Sequence, residues 1–217
     1  MSRPSGFLRR SIASLLIGVV GLCMTPASAQ ELPDAPEARA HRPALPSGAP
    51  KSYAEALAVW KDPEDIARFA DAAFVYDRSR ALALAEPSDS RAVRPAIHQP
   101  EAMYARPEGV CIDLARFGVE TLNRLDASYA ARYLMLEFEP VVIGGRTLRR
   151  HWIATFQRDG KLWFFADSRR PGHVAGPYDS VDAFVADYAR YRARSIVAWR
   201  EADGFARRTR TVAGVKR

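Results

Sequence analysis

His151-Trp152-Ile153-Ala154-Thr155-Phe156-Gln157-Arg158-Asp159-Gly160-Lys161-Leu162-Trp163-Phe164-Phe165-Ala166-Asp167 holds two alternating segments around a turn signal. Period-two alternation of apolar and polar residues marks half-buried strands, and Asp-Gly between them marks a hairpin. The loop length sets what His151 faces. A two-residue turn pairs Arg158 with Lys161 and leaves Asp167 opposite Trp152, on the other face from His151. A three-residue loop, with Gly160 in the left-handed position, pairs Gln157 with Lys161 and sets His151 directly opposite Asp167. In the second register Trp152, Ala154, Phe156, Leu162, Phe164 and Ala166 share one uniformly apolar face. Because a one-residue slip moves every side chain to the opposite face, this cleaner pattern is the register expected.

Working outward, Tyr133 to Phe138 alternates as a further strand, and Gly144-Gly145 turns the chain into the strand Leu148 to Gln157. Pro171, Gly172, Gly176 and Pro177 break the chain after Asp167. Ser180 then caps a last helix carrying Val181, Phe184, Val185 and Tyr188, and Ile196 to Trp199 reads as a final strand. Upstream, Cys111, Leu114, Ala115, Gly118, Leu122 and Leu125 recur at helical steps, giving a central amphipathic helix that starts at the cysteine. Ser52 caps a short helix whose apolar face is Tyr53, Leu57 and Trp60. Asp62-Pro63-Glu64 starts another, expected to run to about Leu84. Residues 87 to 109, with Pro95, Pro100, Pro107 and Gly109, read as a long irregular connection of the kind that often carries function. Helices first and antiparallel strands after them argue an α+β fold.

The two ends of the chain read differently. Arg3, Arg9 and Arg10 precede an apolar stretch from Ile12 to Met24, too short to span a bilayer permanently, that ends in Pro26-Ala27-Ser28-Ala29. Residues 1–29 are expected to be a signal peptide, cleaved after Ala29, which places the mature protein in the periplasm or outside the cell. Residues 30–50 form a Pro/Ala-rich leader without the apolar residues a core needs. Residues 51–205 form the domain, and residues 206–217 a basic tail. Cleavage leaves 29 basic against 25 acidic residues, so the formal charge falls from +7 to +4. That balance does not point to nucleic acid, and no stable membrane anchor is expected.

Cleavage also removes Cys23 and leaves Cys111 as the only thiol. A single cysteine in an exported protein is either linked to a partner chain or kept for its reactivity. At the first turn of a helix, unpaired backbone N–H groups and the helix dipole favour the thiolate, the form that attacks. The Cys111 N–H can also face a developing oxyanion. His151 as base and Asp167 as its orienter complete a constellation suited to acyl transfer. A buried Cys acting as a small hydrophobe, with a surface His and a loop-end Asp, is the structural alternative. The four histidines are widely spaced and make no metal-ligand pair. No phosphate loop or dinucleotide fingerprint is present, so no metal or cofactor is expected.

Three pieces together resemble the transglutaminase-like superfamily, including its bacterial cysteine-peptidase branch. They are Gly109-Val110-Cys111-Ile112-Asp113-Leu114-Ala115, then His151-Trp152, then Trp163-Phe164-Phe165-Ala166-Asp167. Forty residues separate Cys111 from His151 and sixteen separate His151 from Asp167, steps that suit the family pattern. The resemblance covers roughly residues 70 to 170. It implies a papain-like arrangement, a central helix starting at the Cys packed on an antiparallel sheet, and a Cys111-His151-Asp167 triad. It also implies Asp113 as a support of the helix start, and a further oxyanion donor upstream of Cys111, with Gln99 and Tyr104 as candidates. The expected activity is hydrolysis of a peptide, isopeptide or other amide bond in a protein or peptide substrate, by a monomer. An amine-accepting transglutaminase, a non-catalytic binding or scaffold protein of the same fold, and a subunit disulfide-linked through Cys111 are the alternatives.

Overall fold

Three side chains start three of the helices. The Ser52 hydroxyl accepts from the Glu55 N–H at the head of α1 (Tyr53–Val59), and Asp62 does the same for Asp65 in α2 (Pro63–Ala73). Ser180 accepts from Ala183 at the start of α6 (Val181–Arg192). Each satisfies an N–H that the helix itself leaves unpaired. The computed structural model describes residues 45, 47–84, 95–143, 146–167 and 171–202. The expected signal peptide and basic tail, and all of the leader except residues 45 and 47–50, lie outside the described residues.

The remaining elements are β1 (Val75–Tyr76), α3 (Arg78–Leu84), α4 (Pro100–Ala105), β2 (Glu108–Gly109), α5 (Cys111–Leu125), β3 (Arg132–Ile143), β4 (Arg146–Arg158), β5 (Lys161–Ala166), β6 (His173–Tyr178) and β7 (Ile196–Ala202). β3 to β6 form an antiparallel meander. α6 then carries the chain back to the far edge, where β7 pairs with β3, so the strand order is β6-β5-β4-β3-β7. The class is α+β.

Both faces of this sheet are covered. On one, α5 packs so closely that a Cβ at Gly118 would lie 2.7 Å from the Phe165 ring and 3.2 Å from Ala154. Tyr133, Trp152, Ala154, Phe156, Trp163 and Phe165 belong to that face, continuous with Phe69, Tyr104 and Phe117 of the helical layer. On the other, Phe184 and Tyr188 of α6 cover Leu134, Leu136, Phe138, Ile153, Phe164 and Ala166.

The hairpin register differs from the expectation. Arg158 pairs with Lys161 and Ala154 with Phe165, the two-residue turn. Asp159 and Gly160 both have positive φ, 53° and 68°, the geometry that matches the twist of paired strands. The alternation argument misled because it assumed one buried face. With α5 and α6 on opposite sides, β5 carries apolar residues in both alternating sets, Leu162, Phe164 and Ala166 on one face and Trp163 and Phe165 on the other, and the pattern loses its power to select a register.

Three further expectations are corrected. The helix from Pro63 does not reach Leu84: it stops at Ala73, because Val75 and Tyr76 leave to pair in parallel with Glu108 and Gly109. The Val75 N–H donates to Pro107 O and the Asp77 N–H to Gly109 O, both at 2.8 Å, and the Asp77 carboxylate then accepts from the Arg80 N–H to restart a helix. Within the expected irregular connection, residues 100–105 are helical, with Pro100 in the first turn. The expected chain break after Asp167 contains β6, which tolerates Pro177 because it is an edge strand.

Gly118→Ala is expected to destabilise the domain by about 1–3 kcal/mol in urea unfolding, through overpacking against Phe165. Gly160→Ala meets no atoms within 4 Å, so its cost would be limited to backbone strain.

Candidate active site

Cys111 is the first residue of α5, after an extended Val110. Valine offers no acceptor to cap a helix, and the carboxylate of Asp113 takes over that duty from inside the first turn. It accepts from the Val110 N–H at 3.0 Å, half of a capping box. It also accepts from the His98 N–H at 2.9 Å and from Arg80 Nε and Nη2 at 2.7 and 2.8 Å. Asp113 is fully buried and Arg80 nearly so. A buried carboxylate with this many donors is compensated, and each donor comes from a different part of the chain: α3, the Pro95–Gln99 segment and the turn before Cys111. Arg80 and Arg116 also donate to the carbonyls of Ala96 and Ile97, fixing that segment against α5. Beside it lies a cavity of about 470 Å³ lined by Asp77, Ser79, Arg80, His98, Arg106 and Glu108 among others.

The structure brings His151 and Asp167 together: His151 Nε2 lies 3.3 Å from Asp167 Oδ1. The route is not the expected one. In the observed register the strand partner of His151 would not be Asp167, and the β4–β5 ladder stops at Ala154 and Phe165. Asp167 sits in a bend one residue past the end of β5, and that bend carries its carboxylate to the imidazole. The imidazole lies parallel to the Tyr188 ring, 7° between planes and 6.1 Å between centroids, and is flanked by Phe138 at 6.4 Å. Both are on the α6 side of the sheet. The ring contacts described for the imidazole are therefore with the α6 layer, whereas Cys111 begins the helix of the opposite layer.

Two influences act on the imidazole in opposite directions. A carboxylate favours the imidazolium when ionised, whereas burial and the charges of Arg192 and Arg194 disfavour it. Burial is the largest cause, and it pushes the His151 pKa down to about 3. The ring is neutral at physiological pH.

Of the two oxyanion candidates, Tyr104 is a core residue. Its hydroxyl donates to Pro50 O at 2.6 Å and its ring stacks on Phe69 at 4.5 Å. The Gln99 side-chain oxygen accepts from Arg116 Nη2, which turns that amide toward α5. Arg80 and Tyr188 were not singled out by the sequence as site residues. Arg80 lies thirty-three residues from its partner Asp113, and no local pattern signals the pair. Tyr188 is legible as part of the α6 apolar face but not as a neighbour of His151. Among the described residues, no group of three or more His, Cys, Asp or Glu is placed to hold a metal, and no helix is long and apolar enough to cross a membrane.

Compared with family models, curated proteins and solved structures, the chain finds no match.

Asp113→Ala is expected to lower stability by about 3–5 kcal/mol, because it leaves the Arg80 guanidinium buried without its carboxylate. Urea unfolding of the variant and of Arg80→Met checks the value. His151 gives a separate, pH-dependent signature. Its folded pKa is depressed, so its contribution to stability is complete above about 6.5 and is lost as pH falls from there toward 3. Across that window the wild type should lose up to about 4 kcal/mol more than His151→Gln.

Proposed function

We propose that this protein is an exported thiol acyl-transfer enzyme of transglutaminase-like, papain-like type, hydrolysing a peptide, isopeptide or other amide bond. Cys111 is the nucleophile, His151 the base and Asp167 the group that orients the base. The observation that carries this reading is the 3.3 Å contact between His151 Nε2 and Asp167 Oδ1. It joins two residues that the family resemblance pairs, through a bend that strand pairing alone would not produce.

Nε2 is the ring nitrogen near the carboxylate, and in this reading Nδ1 takes the thiol proton. The exchange requires the thiol at the head of α5 and the imidazole on the α6 side to meet at the end of β4, beyond its last pair with β5.

In the reaction, Nδ1 removes the Cys111 proton and the sulfur attacks the substrate carbonyl carbon. The resulting oxyanion receives the Cys111 backbone N–H and a further donor. As the carbonyl re-forms, the C–N bond breaks and the amine leaves with the proton from His151. Water then attacks the thioester, giving the acid and restoring the thiol. An amine in place of water gives a transamidated product instead. In this reading Asp167 compensates the proton that the imidazole holds between the two steps.

The low basicity of the buried imidazole also favours the second reading, a protein that keeps this fold to bind peptide without chemistry. The two separate on thiol reactivity. Cys111→Ala is expected to abolish iodoacetamide labelling and all amide turnover, and the wild-type thiol should titrate below the ordinary value of about 8.5. Turnover surviving in Cys111→Ala would end the enzyme reading. A thiol titrating at the ordinary value, with no turnover on a peptide library, would decide for the binding protein.

A further inference from the structure

Resting on the reading of His151 as base, we infer that Tyr188 of α6 is its positioning residue, fixing the plane of the imidazole beside Asp167. The argument begins with what a histidine at this place can do. A side chain with two rotatable bonds can present either nitrogen to a carboxylate, and the strand sets only its face. The expected register would have aimed the ring by direct opposition to Asp167, but the observed register does not. Something else has to hold the plane.

Tyr188 is almost wholly buried, and its ring is the one parallel to His151 among the described contacts. It is itself fixed on several sides. Phe164 meets it edge-on at 5.7 Å, Phe184 lies 5.3 Å away one turn earlier on α6, and Tyr191 lies at 6.3 Å. Phe138 lies near both rings, with centroids 6.4 Å from His151 and 6.5 Å from Tyr188. Offset parallel stacking of such rings is favourable by about 0.5–1.5 kcal/mol beyond the area buried. That corresponds to a preference of about twofold to twelvefold for the parallel orientation over a tilted one.

The groups that face the imidazole can be named element by element. β3 gives Leu136 and Phe138, which carry no charge. The bend after β5 gives Asp167, α6 gives Tyr188 and Arg192, and the turn into β7 gives Arg194. Arg194 is held over the Phe138 ring at 4.6 Å and donates to Glu139 O. Two cations and one carboxylate therefore bracket the ring, and Tyr188 lies against its flat side. Loss of the Tyr188 ring would admit water to that side and let the imidazole turn.

The experiment reads the ring itself and needs no substrate. In protein labelled with 15N at histidine, His151 is assigned by comparison with His151→Gln. The wild type should show a single neutral tautomer, and no titration down to about pH 5. Tyr188→Phe, which keeps the ring, should match it. Tyr188→Leu should show mixed tautomers and a midpoint moved at least about one unit toward 6.5. A folded Tyr188→Leu with the wild-type tautomer and titration would overturn the inference. Should that variant not fold, the wild type decides, since the stack requires nuclear Overhauser contacts between the His151 and Tyr188 ring protons. Their absence would overturn it equally. The base reading fails separately, if iodoacetamide labelling of Cys111 has the same pH profile in His151→Gln as in the wild type.

Discussion

The carboxylate of Asp113 is the point on which the start of α5 depends. It is sealed from solvent and accepts from two backbone N–H groups and from both arms of Arg80. A carboxylate so placed would be costly without its donors, and the donors would each be costly without it. The result is that α3, the Pro95–Gln99 segment and the turn ahead of Cys111 form one unit. The thiol sits two residues away, at a helix terminus whose geometry is set by charge rather than by a side-chain cap. Valine at the capping position is tolerated only because the acceptor has moved inside the helix.

A second constraint is the sheet covered on both sides. A strand buried on one face announces its register by alternation, and a strand buried on both does not. This explains how much of the fold the sequence discloses. Ser52, Asp62 and Ser180 are local signals whose chemistry acts within four residues, and each is found at the helix start it marks. The α5 period and the alternation of β3 to β5 are equally local. What stayed hidden depends on partners far along the chain. β1 exists because Pro107 and Gly109 offer carbonyls to Val75 and Asp77. β6 exists because β5 has an edge to extend.

The site follows the same division. That Cys111 opens a helix is written in its neighbours, and so is the turn that folds Asp167 back toward His151. The mode of approach is not, because it depends on a bend after Ala166 rather than on paired strands. Tyr104 misled for a related reason. A tyrosine shortly before a cysteine suggests a donor, but its ring completes an aromatic cluster with Phe69, Phe117 and Tyr53. Tyr188 could have been found only by knowing that α6 crosses the sheet on the His151 side.

That crossing has a consequence for the order in which the molecule becomes complete. The fully buried residues of the layer that α5 builds on the sheet end at Phe165, ahead of α6, with Val174 and Ala202 packed only partly buried against them. The surroundings of His151 draw on Tyr188, Arg192 and Arg194, which follow it by more than thirty-five residues. A chain emerging from its amino end can therefore assemble the thiol half first, while the imidazole stays loosely held and wet. The last described helix to arrive is the one that covers the imidazole, so the two layers of the sheet are completed at different times in the life of each molecule.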